Sequence, residues 1–353
     1  MTGSTARLGV LALALGALTL LPRASRAYEV KRSADGSLVR WSETRVAFSV
    51  KPEVTEVPGA EKAIASAMAA WSGRGGAPEI VLGRKANAGA APGADGRNTI
   101  FYEKDGYAPA GNALAITILS YDEQTGRILD ADIVLNGKFK LGRIGSGDDK
   151  DEYDVNRVVA HELGHALGLS DEPAREDALM FPYVAPSSAL RSAPARDDLA
   201  GLATLYESRA SDDASTETNT GCGAAVTSRA ADAAITTTAR GLYVHDEAAP
   251  SQATDAVALV TAARTTTVGG LLQTELELTT TSCTTVCPAT MRTTMWGGAA
   301  DGIRQEIAGV PVPRAGDRVA LGLGRHVASR VFYREPITTP SSAIVHTIER
   351  LGR

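Results

Sequence analysis

Polar and apolar residues alternate through Arg45–Val50 (RVAFSV), which predicts a strand with one buried face. The repeat then lengthens. Between Gly59 and Gly73 the residues Ala63, Ile64, Ala67, Met68 and Trp71 share one side of a 3.6-residue period, so this stretch is expected to be a helix that Gly73 ends. Two short apolar runs, EIVLG (79–83) and NTIFYE (98–103), read as strands. Ala113–Asn136 reads as two strands around a turn at Gln124–Thr125–Gly126. An acidic, glycine-containing loop follows at Gly145–Asp154, and Asp154 is placed to cap the next helix. Ala195–Glu207 has the pattern of an amphipathic closing helix. Strands with three helices predict an α+β domain.

The pattern changes near residue 208. Lysine vanishes, threonine and alanine dominate, and Ser208–Gly223 (SRASDDASTETNTGCG) is small and polar like a linker. Beyond it, DAVALVTAARTTT, TELELTTT, TTMWG and RVALGLG are β-rich, with turn signals at Gly269, Gly297 and Pro313–Arg318. A small all-β domain, barrel or sandwich, is expected at 225–353, after a linker at 208–224. His245, His326 and His346 show no ligand spacing there, and no mechanism follows from this half.

The chain has 353 residues, which suggests two domains, and 44% are hydrophobic, enough for a sizeable core. Its net charge of −5 shows no basic stripe, so no nucleic-acid partner is expected. Leu8–Leu21 is an apolar run behind Arg7, with Ser25 and Ala27 at the −3 and −1 positions of a cleavage before Tyr28. Residues 1–27 therefore read as a secretory signal peptide, since the run is shorter than the ~20 residues that span a bilayer. The mature chain is expected to lie outside the cytoplasm with no membrane span. Export permits a disulfide among the 3 cysteines, Cys222, Cys283 and Cys287, and leaves open which one stays unpaired. Nothing in the pattern bears on oligomeric state.

The candidate chemistry lies in HELGHALGLSDEPAREDALMFPY, residues 161–183. On a helix His161 and His165 are one turn apart, so both imidazoles can reach one zinc ion at ~2.0–2.1 Å. Glu162 projects about 100° away from His161, where a general base suits it better than a ligand. Zinc in such a site acidifies its water toward a pKa of ~7. Gly168 can take the left-handed conformation that stops a helix sharply. Asp171 follows it, and Met180 comes nine residues later.

The order H-E-x-x-H-x-x-G-x-x-D followed by a methionine turn resembles the metzincin zinc peptidases. AHELGHALGL and ALMFPY are most similar to the matrixin branch in its bacterial secreted form. LVRWSETRVAFSV, NALAITIL, ILDADIVLN and DDLAGLATLYE fall in matrixin order, so the resemblance covers roughly Ser37–Glu207. It implies a metzincin-type catalytic domain at 28–207, a twisted mixed sheet with three helices. It implies His161, His165 and Asp171 as ligands of one catalytic zinc, Glu162 as base and Met180 as an apolar floor under the metal. Pro182 and Tyr183 would wall a substrate pocket, and Leu114, Ala115, Ile116 and Thr117 would form an edge strand pairing with an extended peptide.

Asp171 stands where the family usually has a third histidine, and His161 and His165 are the only histidines before residue 245. A carboxylate is a competent zinc ligand at ~2.0–2.2 Å, and the snapalysin type is similar in using aspartate. The anion lowers the positive charge of the site, so a weaker acid in the bound water and an activity optimum shifted upward in pH are expected. A pH–rate profile with its acidic limb well below neutrality would contradict this. With no histidine to spare, no structural zinc is expected. Asp130, Asp132, Asp148 and Asp149 offer hard oxygens for Ca2+, with a solvated acidic loop as the plain alternative. No cysteine precedes Cys222, so latency through a propeptide cysteine is not expected. The expected function is a secreted zinc-dependent endopeptidase acting on protein or peptide substrates. The alternative is a non-catalytic zinc-holding module whose β-domain binds an envelope or protein partner.

Overall fold

The computed structural model describes residues 28, 30–33, 35–87, 89–143, 150–187, 192–214, 243–244, 256–283, 287, 289–308, 312–324 and 344–352. Elements follow in chain order as β1 (Arg45–Val50), α1 (Ala60–Trp71), β2 (Glu79–Leu82), β3 (Thr99–Glu103), β4 (Ala115–Asp122) and β5 (Ile128–Asn136). Then come β6 (Leu141–Gly142), β7 (Tyr153–Asp154), α2 (Val155–Ala166), β8 (Tyr183–Val184) and α3 (Arg196–Ala214). The remainder is all strand: β9 (Tyr243–Val244), β10 (Ala256–Val268), β11 (Leu271–Cys283), β12 (Thr290–Trp296), β13 (Gly298–Ala300), β14 (Ile303–Ile307), β15 (Arg318–Gly324) and β16 (Ile344–Gly352).

The helix face expected of α1 is the one buried: Ala63, Ile64, Ala67, Met68 and Trp71 all face the core, and Gly73 is left-handed just past the helix end. In the main sheet β2, β1, β3 and β5 run parallel, and β4 pairs antiparallel with β5. α1 and α2 cover one face, in a core that includes Phe48, Trp71, Ile100, Leu119 and Leu163. This bears out the expected mixed sheet with three helices.

The C-terminal half is strand-rich as expected, but its apolar face is not closed within itself. β12, β11, β10, β15 and β16 form a second, antiparallel sheet. Its Ala258, Val260, Leu276, Leu278 and Met291 share one core with Phe101, Ile116, Ile118 and Val134 of the main sheet. The main sheet is therefore buried on both faces, which explains why β4 and β5 read as nearly unbroken apolar runs. Two strands go further and join that sheet: β14 pairs antiparallel with β4, and β13 with β14. So β4 is covered along Ile118–Asp122, while the segment expected to pair with a peptide, Leu114–Thr117, meets this strand only at the Thr117 carbonyl. α3 also runs on to Ala214, into the stretch expected to be linker.

Cys283 and Cys287 form a disulfide, one of the pairings the sequence left open, while Cys222 lies outside the described residues. Residues 1–27, Asp148 and Asp149 also lie outside them. Among the described residues, no helix is long and apolar enough to cross a membrane.

Candidate metal and peptidase site

α2 carries His161, Glu162 and His165, and apart from Asn156 all its residues are buried. Such a helix cannot leave its ends to water, and its neighbours satisfy them. At the N-terminus the Asp154 carboxylate accepts the Asn156 N–H at 3.0 Å, the cap expected from the sequence. At the C-terminus the Trp41 indole donates to the Ala166 carbonyl and the Tyr206 hydroxyl to the Leu167 carbonyl, each at 2.8 Å. The Trp71 indole donates to the Ala160 carbonyl at 2.8 Å from α1.

The helix stops at Gly168, whose φ is +94°. The Leu169 N–H returns to the Gly164 carbonyl and the Gly168 N–H to that of His165, which is the pattern of a left-handed helix stop. A Cβ on Gly168 would sit 2.2 Å from the Val39 carbonyl oxygen, so no other residue fits without moving that segment. The turn carries Asp171 back over the helix.

The ring orientations are set by carbonyls. His161 Nδ1 lies 2.9 Å from the Leu179 oxygen and His165 Nδ1 2.9 Å from the Leu169 oxygen. A carbonyl only accepts, so each Nδ1 carries the proton and each Nε2 presents a lone pair. Both Nε2 atoms face Asp171 Oδ1, at 3.2 and 3.3 Å. These separations are of hydrogen-bond length, yet with the proton on Nδ1 neither the facing Nε2 nor the carboxylate has a hydrogen to donate. The two Nε2 atoms and both Asp171 oxygens are left buried without a hydrogen-bond partner. Buried polar atoms in that condition are rare and costly.

A tetrahedral ion with ligands at ~2.0–2.1 Å separates them by about 3.3–3.4 Å, so the observed spacing is that of a zinc coordination shell. His161, His165 and Asp171 make the one group of three or more metal-ligating side chains found among the described residues. Without an ion, burial pushes the His165 imidazole toward its neutral form, and the Asp171 carboxylate beside it more than offsets this, leaving its pKa raised. For Asp171, burial acts upward and the facing imidazoles win, holding its carboxyl below the ordinary range.

Glu162 lies on the sheet side of the helix. The Thr117 hydroxyl on β4 donates to its Oε2 at 2.6 Å, while Oε1 is buried with no partner. Thr117 was expected only as part of a peptide-pairing strand. Met180 packs under the helix: a Cβ on Gly164 would come within 2.4 Å of its sulfur.

The turn holding Met180 is pinned by two residues the sequence did not single out. Asp198, on α3, accepts the backbone N–H groups of Leu179, Met180 and Ala195 at 2.9, 3.0 and 2.6 Å. The buried Arg157 guanidinium donates to the Ala178 and Phe181 carbonyls, and burial pushes its pKa down to about 10. An acidic pair at a helix start is ordinary by the helix dipole, which hid Asp198.

Against these geometric facts, one comparison is informative. The family model for matrixin matches residues 92–207. That is about a third of the chain, and it contains Thr117, His161, Glu162, His165, Asp171, Met180 and Asp198. The match supports a matrixin-like segment with zinc metalloprotease chemistry, and the cluster of His161, His165 and Asp171 lies within it. No curated protein matches the chain.

The other expected site residues fare differently. Leu114, Ala115, Ile116 and Thr117 are all buried, and Pro182 is buried beside the half-buried Tyr183. The expectation of calcium finds no support. Asp130 and Asp132 share one face of β5, and their oxygens hold down the loop before β3. Asp132 accepts the N–H groups of Gly93 and Thr99, and Asp130 that of Arg97. Burial is the main cause that pushes Asp130 up to about 7 and Asp132 up to about 9. These are loop anchors with oxygens already engaged.

Proposed function

We propose that the chain is a zinc-dependent endopeptidase in which His161, His165 and Asp171 hold the catalytic ion and Glu162 is the general base. The observation that carries this is the convergence of buried, unpartnered lone pairs at the spacing of a tetrahedral shell. Zinc, when bound, supplies Lewis acidity toward a peptide carbonyl and makes water a nucleophile near neutral pH. The rest is the work of this chain's residues. Leu179 and Leu169 hold the imidazoles in the ligating tautomer. Thr117 fixes Oε2 of Glu162 and leaves Oε1 to take a proton from the attacking water and pass it to the leaving amine. Asp171 as third ligand makes the site less positive than one with three imidazoles.

Export belongs to the same reading and is supported by the signal-peptide pattern of residues 1–27. The test is metal content of the purified mature chain, with cleavage of an unfolded protein mixture by wild type and Glu162→Ala. One zinc per chain in both, with all cleavage lost in the variant, is the expected result. Absence of zinc from a folded chain would overturn the proposal.

A further inference from the structure

Two strand segments next to the site, β4 and β8, are paired by strands of the chain's own C-terminal half. On one side β14 pairs with β4 from Ile303 opposite Asp122 to Ile307 opposite Ile118. The ladder extends one step further, where the Ala308 N–H donates to the Thr117 carbonyl at 2.8 Å. Thr117 is the residue whose hydroxyl holds Glu162. On the other side β9 pairs with β8, the segment of Tyr183 and Val184 just after Met180. β14 runs antiparallel to β4.

The strand is held firmly. Glu306 is buried with Lys31 at 2.5 Å and Arg304 at 2.5 Å. Burial acts to raise its pKa, but these two cations hold it at about 2. Lys31 is itself fixed next to the site, since its N–H donates to the Gly168 carbonyl. Gln305 ties the strand to the second sheet by accepting the Leu272 N–H at 2.7 Å. Leu114–Thr117, Glu162 and both histidines are at most 3% exposed, and Asp171 is 4% exposed.

We propose that the C-terminal half is an intramolecular inhibitor whose strand β14 occupies the β4 edge from the Thr117 carbonyl to Asp122 and lowers, without abolishing, the activity of the enzyme. This rests on the peptidase reading above. A tethered strand competes at an effective concentration of the order of mM, so a free peptide at µM concentration is disfavoured on the part of the edge that both would use, from Thr117 onward. A strand that merely protected the sheet edge from other chains would leave access to the metal unchanged when it was removed.

The test uses the full-length zinc-loaded chain and a fluorescent Pro-Leu-Gly hydroxamate, which anchors on zinc while its peptide part pairs with a strand. Two substitutions attack the cap independently. Ala308→Pro removes the N–H that bonds Thr117, and Glu306→Lys sets a third cation between Lys31 and Arg304. Circular dichroism and zinc stoichiometry show which variant is folded. The expected result is hydroxamate binding at least 10-fold tighter than wild type in a folded variant, with faster hydrogen exchange at β4 amides. Affinity equal to wild type in the folded variants overturns the proposal. If binding tightens but no variant cleaves an unfolded protein, β14 still covers the approach to the metal, but the peptidase reading fails and inhibition of a peptidase fails with it.

Discussion

Asp198 makes a quantitative case for how this site is held. Its carboxylate is 2% exposed and receives three backbone N–H groups. Hydrogen bonds to a charged acceptor contribute about 1.5–3 kcal/mol each, and a buried donor left without a partner costs about 1–3 kcal/mol. Asp198→Ala strands three donors at once. Allowing for non-additivity, the loss should be about 3–6 kcal/mol, a large part of the 5–15 kcal/mol typical of a whole domain.

Asp198→Asn is the sharper probe. Oδ2 serves Leu179 and Ala195, whereas Oδ1 serves Met180 alone. An amide that keeps its oxygen at the Oδ2 position retains two bonds and sets an NH2 against the Met180 N–H. The expected cost is about 1.5–3 kcal/mol. Hydrogen exchange should quicken at the Met180 amide and stay slow at Leu179 and Ala195. The same turn carries the Leu179 carbonyl that orients His161, so zinc affinity should fall about 10–100-fold. Urea denaturation, amide exchange and competitive zinc titration read these three effects separately. A Met180 amide as protected in the variant as in wild type would refute the reasoning, because Oδ1 would then not be its acceptor.

Three further outcomes are expected. Gly168→Ala combines a φ of +94° with a Cβ 2.2 Å from the Val39 oxygen, and should cost about 3 kcal/mol or more in urea denaturation while weakening zinc binding; an unchanged midpoint would show that the turn can relax. Thr117→Val keeps the shape and removes the donor to Glu162, so kcat should fall about 10-fold with zinc content unchanged, and wild-type kcat would show that the base needs no positioning. Asp130 and Asp132 hold protons in the fold that the unfolded chain, with pKa values near 3.8, has released. Their contribution is therefore full below about pH 4 and is lost as pH rises through about 7 and then about 9. The urea midpoint should fall between pH 5 and 8.5 in wild type and fall less in Asp132→Asn, and parallel slopes in the two would remove the pair as the cause.

Local order was legible in the chain itself. A 3.6-residue period is a property of neighbours, so the buried face of α1 and the shared face of His161 and His165 could be read directly. The stop at Gly168 was legible because a left-handed backbone is a demand on one residue, and that stop returns Asp171 to face the two imidazoles. Calcium at Asp130 and Asp132 finds no support in the fold, because composition counts carboxylates but cannot show that loop N–H groups already engage their oxygens. The roles of Asp198 and Thr117 depend on elements that meet only in the folded state, 18 and 45 residues from their partners. The placement of β14 on β4 is the extreme case. Every strand offers the same backbone donors and acceptors, so sequence marks Ile303–Ile307 as extended without saying which edge it will cover. Only packing of the second sheet against the first brings that strand to the rim beside Glu162.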